Sequence, residues 1–424
     1  MKTPATAILH YTAPPVVGGV EAVIEAHAQT FLRFGYPVTI VTGWGKAEAL
    51  PPGTDLLRVP EMDSQYAQMV EMSSQLELGD VPAAFDAMAN RLQAVLVPIL
   101  SQFDSVIVHN VFTKHFNLPL TAALHHLLDA GTIRHCIAWC HDLTWTSPSS
   151  RSKVHSGYPW DLLRSYRPDV TYIAVSEQRR SELAGLFGCP PEKIRVIYNG
   201  VDPQALLGLS MEGQALVDRL ELLACDLVLL MPVRVTQAKN IEYALQVVAA
   251  LKERGSKPKL ILTGPPDPHD AESMAYFRTL QALRRQLGVE EEMRFVFESG
   301  PDPDEATLID AGVVGDLFRV SDLMFMPSHR EGFAMPVLEA GLVGVPVICT
   351  EVPAAVEIGS EDVILVNRAE EPAVLAERIL AWAAQNPVHR LRRRVRQSYT
   401  WQAIFEREIK PLLPGRGMDD AICC

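Results

Sequence analysis

The chain lacks most of what would place it in a membrane, outside the cell or on nucleic acid. None of its 424 residues belongs to an apolar run near the roughly 18 residues needed to cross a bilayer, so no transmembrane segment is expected. Met1 to Pro15 holds one lysine and no apolar stretch of signal-peptide length, which points to a cytoplasmic protein. Cysteine is sparse: Cys136, Cys140, Cys189, Cys225, Cys349, Cys423 and Cys424 form an odd set without paired spacing, which speaks against a disulfide framework and fits reduced thiols. Cys136 and Cys140 share one strand-like run with no second ligand pair, so no zinc site is expected. Prenylation would need a cysteine where Ala421 stands, and Cys423-Cys424 reads instead as a frayed tail. Positive charge is short as well. Against 51 acidic residues stand 38 basic ones, a net charge of −13 that excludes general attraction to nucleic acid or anionic lipid. The one basic run, Arg390 to Arg396, reads as a solvated helix face. No short repeat of the solenoid kind is present.

What is present is a repeated alternation of short apolar runs and amphipathic stretches. The length exceeds what one core serves, so two domains are expected. Strands are predicted at Ala7–Tyr11, Val38–Val41, Ser105–His109, Cys136–Cys140 and Thr171–Val175. Between the first two, Val20, Ile24, Ala28 and Phe31 recur at helical spacing before the stop at Gly35. After a less regular stretch from Asp202 to Ala224, a second series follows: Asp226–Met231, Lys259–Leu262, Arg294–Phe297, Asp322–Met326, Val345–Cys349 and Val363–Val366. Buried strands alternating with helices predict an α/β chain of two doubly wound, Rossmann-like parallel-sheet domains. From about Pro372 the chain is predicted helical, and the apolar face of Trp401–Phe405 needs a surface beyond the second sheet, for which the first domain is one candidate. Ligands of such sheets bind beyond the carboxyl ends of the strands, and two such domains side by side would leave a cleft there.

The richest of these loops follows Asp322–Met326. Pro336 suits a first helical position, so the amides around Met335, Pro336, Val337 and Leu338 would form a helix terminus suited to a diphosphate. Glu339 would then lie in the first turn, within reach of a ribose diol, and Glu331 would face a sugar. The plainer readings are a helix-dipole complement for Glu339 and an exposed loop acid for Glu331. Asp302-Pro303-Asp304 has the spacing of a metal–diphosphate motif but sits in a Pro- and Asp-rich turn, and reads as surface. Ser176-Glu177 reads as a helix cap.

Glu331 to Pro346 resembles the Glu-x7-Glu region of the family 4 retaining glycosyltransferases, which have the GT-B fold. Gly18-Gly19-Val20-Glu21 looks like that family's first glycine loop, and His141-Asp142 follows a strand as its active-site histidine does. Val196 to Asp202 is similar to its interdomain segment, Arg234 and Lys239 match its Arg/Lys pair, and the Trp401 helix looks like the one that crosses back to the first domain. From Leu230 to Gly359 the likeness extends loosely to bacterial relatives of the sucrose-phosphate synthases.

The resemblance implies an amino-terminal acceptor-side domain over 1–202, joined by 398–424, and a nucleotide-sugar-binding domain over 203–397. It implies transfer of a hexosyl group from a UDP- or GDP-sugar to a small-molecule or carbohydrate acceptor, with retained configuration and without metal or other cofactor. His141 would hydrogen-bond the transferred sugar. Arg234 and Lys239 would stabilise the charge that develops on the leaving diphosphate. Gly18 and Gly19 would allow close approach to the ligand, with Thr263 and Gly264 on the nucleotide side. Ala334 stands where the family has glycine; a backbone needing φ > 0 there would cost about 1 kcal/mol. A disaccharide phosphorylase of the same fold and a noncatalytic sugar- or nucleotide-binding subunit are the alternative readings.

Overall fold

The computed structural model describes residues 4–302 and 305–414. The chain forms two compact units, Met1–Gly200 with Trp401–Cys424, and Val201–Thr400. The first contains seven parallel strands: β1 (Thr6–Thr12), β2 (Val38–Trp44), β3 (Asp55–Arg58), β4 (Ser105–His109), β5 (Cys136–Cys140), β6 (Val170–Ala174) and β7 (Ile194–Val196). Their order is β3-β2-β1-β4-β5-β6-β7, so the winding reverses between β1 and β4. Every residue of β4 and β5 is buried, as expected of strands covered on both faces. The two strands not foreseen, β3 and β7, are the sheet's edges. β3 is largely exposed and β7 has only three residues, so neither leaves an apolar run in the sequence.

Helix α1 (Gly19–Arg33) follows β1 and buries Val23, Ile24, His27 and Phe31. The motif-free region from Glu61 to Leu100 holds α2 (Ala67–Glu77) and α3 (Phe85–Leu100), and α4 (Leu118–Asp129) joins β4 to β5. After β6, α5 (Glu177–Phe187) is capped by Ser176, whose hydroxyl accepts the Arg179 amide at 3.1 Å. The closing segment belongs to this unit too. Trp401, Ile404, Phe405 and Ile409 join Ile8, Ile24, Phe31 and Trp139 in one core, and Phe405 stacks on Phe34 with ring centroids 4.6 Å apart.

The second unit opens with two short helices in the stretch read as irregular, α6 (Pro203–Leu207) and α7 (Met211–Arg219). Ser210 caps α7 and donates to Asp316 at 2.6 Å. Six parallel strands follow: β8 (Leu227–Met231), β9 (Pro258–Leu262), β10 (Met293–Phe295), β11 (Leu323–Met326), β12 (Val347–Thr350) and β13 (Ile364–Val366). They are ordered β10-β9-β8-β11-β12-β13, with the reversal between β8 and β11. The sheet is covered by α8 (Ile241–Glu253), α9 (Ala271–Gln286), α10 (Ala311–Val320), α11 (Met335–Val343), α12 (Pro353–Gly359), α13 (Pro372–Gln385) and α14 (Pro387–Ser398).

The basic run lies on α14 and is only partly the solvated face expected. Arg396 is buried and donates to Asp322 at 2.8 Å, Arg392 donates to the Ser321 carbonyl at 2.8 Å, and Arg393 pairs with Asp226 at 2.6 Å. These guanidiniums satisfy carbonyls and carboxylates where α10 runs into β11 and just before β8; Arg390 and Arg394 stay exposed. Among the described residues no helix is long and apolar enough to cross a membrane. Pro303 and Asp304 of the Asp302-Pro303-Asp304 motif, and Cys423-Cys424, lie outside the described residues.

Candidate functional site

In the second unit the reversal between β8 and β11 sets two loops side by side. The loop after β8 carries Arg234 and Lys239; the loop after β11 carries Glu331. His329 N–H donates to the Ala238 carbonyl at 2.8 Å, tying the loops together. Lys239 Nζ then reaches both oxygens of Glu331, at 2.7 and 2.8 Å. The Glu331 side chain is 7% exposed and that of Lys239 21%, so bulk water screens the pair only weakly. Glu331 is therefore a nearly buried, paired carboxylate rather than an exposed loop acid. Asn240, next to Lys239, takes the left-handed conformation (φ 52°) that turns the loop into α8, a conformation asparagine tolerates better than most residues.

Arg234 has no hydrogen-bonding or ionic partner among the described residues. It lines a cavity of about 440 Å³ with Arg330, Gln237, Asp267, Asp270 and Tyr276. Its backbone rests on the loop after β9. A Cβ on Gly264 would lie 2.5 Å from the Val233 carbonyl oxygen and 2.7 Å from the Arg234 Cα. The Gly264 amide donates to that carbonyl at 3.0 Å, and Thr263 N–H reaches the Met231 carbonyl at 3.3 Å. Thr263 and Gly264 thus hold the Arg234 loop against the sheet.

The helix after Glu331 differs from expectation. It begins at Met335, with Pro336 at its second position, and Glu339 lies beyond the first turn on an exposed stretch. The reason is Ala334, which turns the chain into the helix one residue earlier from the left-handed region (φ 65°, ψ 47°). That conformation costs an L residue roughly 1–2 kcal/mol, partly offset by burying the Ala334 methyl beside Val337 and Ala340. The helix start is also poorer in free donors than its sequence implies. Pro336 has no N–H, and the Val337 amide is held by the Ala334 carbonyl at 3.0 Å. The Met335 amide makes no hydrogen bond among the described residues. Gly332 faces open space and Leu338 is exposed. Glu339 forms no hydrogen bond or ion pair with the described residues.

In the first unit, Gly18 and Gly19 open α1, and His141 follows β5. A Cβ on Gly18 would lie 2.1 Å from a Glu21 carboxylate oxygen, whereas one on Gly19 would meet nothing. Glu21 therefore folds back over the start of its own helix, where it also accepts the Thr12 hydroxyl at 2.5 Å. From Glu21 a line of histidines leads inward. His10 Nε2 lies 3.9 Å from the Glu21 carboxylate, and His10 Nδ1 meets the His109 carbonyl at 2.9 Å. His109 Nδ1 lies 3.0 Å from His141 Nε2. Burial, followed by the charge of His10, holds the His141 imidazole down to about 3, so it is neutral at ordinary pH. Its backbone is pinned by Asn110, whose side-chain carbonyl accepts the amides of His141 at 2.8 Å and Asp142 at 3.1 Å. Asn110 itself sits at φ 61°. Sequence reasoning missed His10, Glu21, His109 and Asn110. An asparagine directly after a buried strand was the available signal.

Among the described residues no cluster of histidine, cysteine or acidic side chains is built to hold a metal ion.

Two family models match the chain in succession: Glycosyltransferase Family 4 over residues 17–205 and Glycosyl transferases group 1 over residues 221–399. An uncharacterized glycosyltransferase of Methanocaldococcus jannaschii is 26% identical over 56% of this chain and 58% of its own length, less than two thirds of that relative. A mannosylglucosylglycerate synthase of Petrotoga mobilis is 24% identical over 64% of this chain and 66% of its own. A D-inositol 3-phosphate glycosyltransferase of Catenulispora acidiphila is 27% identical over 82% and 77%. With two Rossmann-like units in succession, each matched by a glycosyltransferase model, the chain belongs to the group 1 and family 4 glycosyltransferases.

Proposed function

We propose that this enzyme moves a hexosyl group from a UDP- or GDP-sugar to an acceptor hydroxyl, with retained configuration and without metal. The observation that carries the reading is the Lys239–Glu331 pair beside the unpartnered Arg234, at the strand reversal of one sheet. In this reading Arg234 and Lys239 bind the diphosphate. Two fixed cations lower the barrier because the leaving diphosphate is more negative in the transition state than in the bound donor. Lys239 does not wait as a bare charge. It turns part of its hydrogen bonding from Glu331 to phosphate, and the carboxylate oxygens so released accept hydroxyls of the sugar. The Met335 amide adds one donor, and Glu339, exposed on α11, takes the ribose. His141 hydrogen-bonds the transferred sugar. No carboxylate is assigned as a covalent nucleophile. The glycosidic bond breaks as the acceptor oxygen approaches the same face, and a leaving phosphate oxygen takes the acceptor proton. A small hydroxylated acceptor, such as the inositol 3-phosphate in one relative's name, fits this chemistry.

The test is release of UDP from UDP-glucose, or of GDP from GDP-mannose, by Lys239→Ala. Turnover should fall by orders of magnitude with an unchanged circular dichroism spectrum. Wild-type rates in this variant would sink the diphosphate role. In parallel, UDP or GDP should raise the melting temperature of the wild-type protein, since a ligand of the folded state stabilises it.

A further inference from the structure

The first unit buries more imidazole than the proposed reaction uses. His109 ends β4 with no exposed surface, and its ring lies 19° from the plane of His141, the two joined by the 3.0 Å contact between His109 Nδ1 and His141 Nε2. Burial holds both rings well below the ordinary histidine range, so the pair is neutral and shares a single proton at this contact. Two arrangements satisfy it. Either His109 Nδ1–H donates and His141 keeps its own proton on Nδ1, or His141 Nε2–H donates and the His109 proton sits on Nε2.

The surroundings of His109 Nε2 separate the two. Among the described residues that atom is buried without a partner, and so are both ring nitrogens of His27 and the indole nitrogen of Trp139. The His109 ring lies 5.3 Å from that of His27 and 5.9 Å from that of Trp139. An indole nitrogen is a donor only. The second arrangement would bury another orphaned N–H close to it, the rarer and costlier kind of defect in protein interiors. In the first arrangement the unpartnered atom is a bare lone pair, the less costly group to bury. His10 does not alter the choice, because its Nδ1 faces the His109 carbonyl and must itself carry a proton. The remaining His141 nitrogen, Nδ1, has no partner among the described residues.

We infer that His109 is a positioning residue. Its Nδ1–H donates to His141 Nε2 and fixes His141 as the tautomer that offers Nδ1–H to a ligand. The structural part stands by itself; the consequence for turnover rests on the reading of His141 as the group that touches the sugar.

Ring-15N-labelled histidine, observed by NMR with His141 assigned through the loss of its signals in His141→Gln, tests the inference. His109→Asn keeps an N–H donor near the place of Nδ1, whereas His109→Leu removes it. In wild type and His109→Asn, the His141 Nε2 should resonate as an unprotonated nitrogen. In His109→Leu the proton should move to Nε2, the ordinary preference of an unconstrained imidazole side chain. Release of nucleoside diphosphate from UDP-glucose or GDP-mannose should drop roughly ten- to a hundredfold in His109→Leu, the scale seen when a group orienting a functional histidine is lost. It should recover in His109→Asn, with UDP and GDP affinity unchanged in both. A protonated Nε2 in the wild-type spectrum overturns the inference, as does an unchanged His141 tautomer in His109→Leu. Should His109→Leu fail to fold, the wild-type and His109→Asn spectra decide alone. The NMR readout needs no donor or acceptor. A tautomer change with unaltered turnover would therefore uphold the positioning while removing His141 from the proposed sugar contact.

Discussion

Mild acid should unfold the first unit, and the buried histidines set the pH range. Burial holds His27 and His141 at about 3 in the folded protein, against an ordinary value of 6.5. The sign follows directly. As pH falls through 6.5 the unfolded chain takes up protons that the folded one refuses, so the stability is present in full above 6.5 and is lost progressively down to about 3. Each such group contributes a slope of about 1.4 kcal/mol per pH unit, and the two together nearly 3 kcal/mol per unit. Between pH 6.5 and 5 that amounts to roughly 4 kcal/mol, a large part of the 5–15 kcal/mol typical of a whole domain. His109, also held well below its ordinary range, steepens the loss. Urea titrations at pH 7, 6 and 5, followed by tryptophan fluorescence, read the effect in the right place, because Trp382 is the one tryptophan of the second unit. His27→Leu supplies the control. Neither His27 ring nitrogen has a partner among the described residues, so the substitution removes the titrating group without breaking a hydrogen bond seen there. The slope should become shallower by about 1.4 kcal/mol per pH unit. Equal slopes in wild type and His27→Leu, or no acid destabilisation above pH 5, would refute the reasoning.

Other consequences can be checked singly. Gly264→Ala should displace the Arg234 loop, because the new methyl falls within 2.5 Å of the Val233 carbonyl; nucleoside diphosphate release should drop at least about tenfold if the loop moves by an ångström. Wild-type kinetics there would mean the loop yields without harm. Glu339→Ala should weaken UDP or GDP binding in calorimetry by a factor of about ten, corresponding to the loss of one charged hydrogen-bonding group, with little effect on thermal stability because Glu339 is exposed. An unchanged affinity removes the ribose assignment. Ser176→Ala should cost about 1 kcal/mol in urea unfolding, since it deletes the cap on the Arg179 amide.

The central strands were legible because both faces are covered. Val106–Val108 and Cys136–Cys140 are continuous apolar runs, and the structure returns the strands Ser105–His109 and Cys136–Cys140 with the expected limits. Edge strands and short capped helices were not, because their stability comes from partners remote in sequence. Asp55–Arg58 pairs with β2, and α7 leans on Asp316. At the site, the residue types were readable but their coupling was not. Nothing in the spacing of Lys239 and Glu331 says that they form an ion pair, which depends on the order of β8 and β11 in the sheet. Ala334 was visible as a departure from the family, and its conformation came from the backbone: a positive φ held by the residue that suits it less well than glycine. The line from Glu21 to His141 was invisible because it is assembled from β1, α1, β4 and the loop after β5.

The Lys239–Glu331 pair has one more consequence, for selectivity among the abundant small anions that surround an enzyme. A lone lysine would attract free phosphate or sulfate. Here such an ion must compete with a carboxylate held 2.7 Å from the ammonium, and it brings nothing for the carboxylate to accept. In the proposed reaction a nucleotide sugar would bring phosphate for the lysine and hydroxyls for the glutamate in one molecule, so both members of the pair would keep a partner on binding. On that proposal the resting pair would act as a two-key lock that an anion without a sugar turns only halfway.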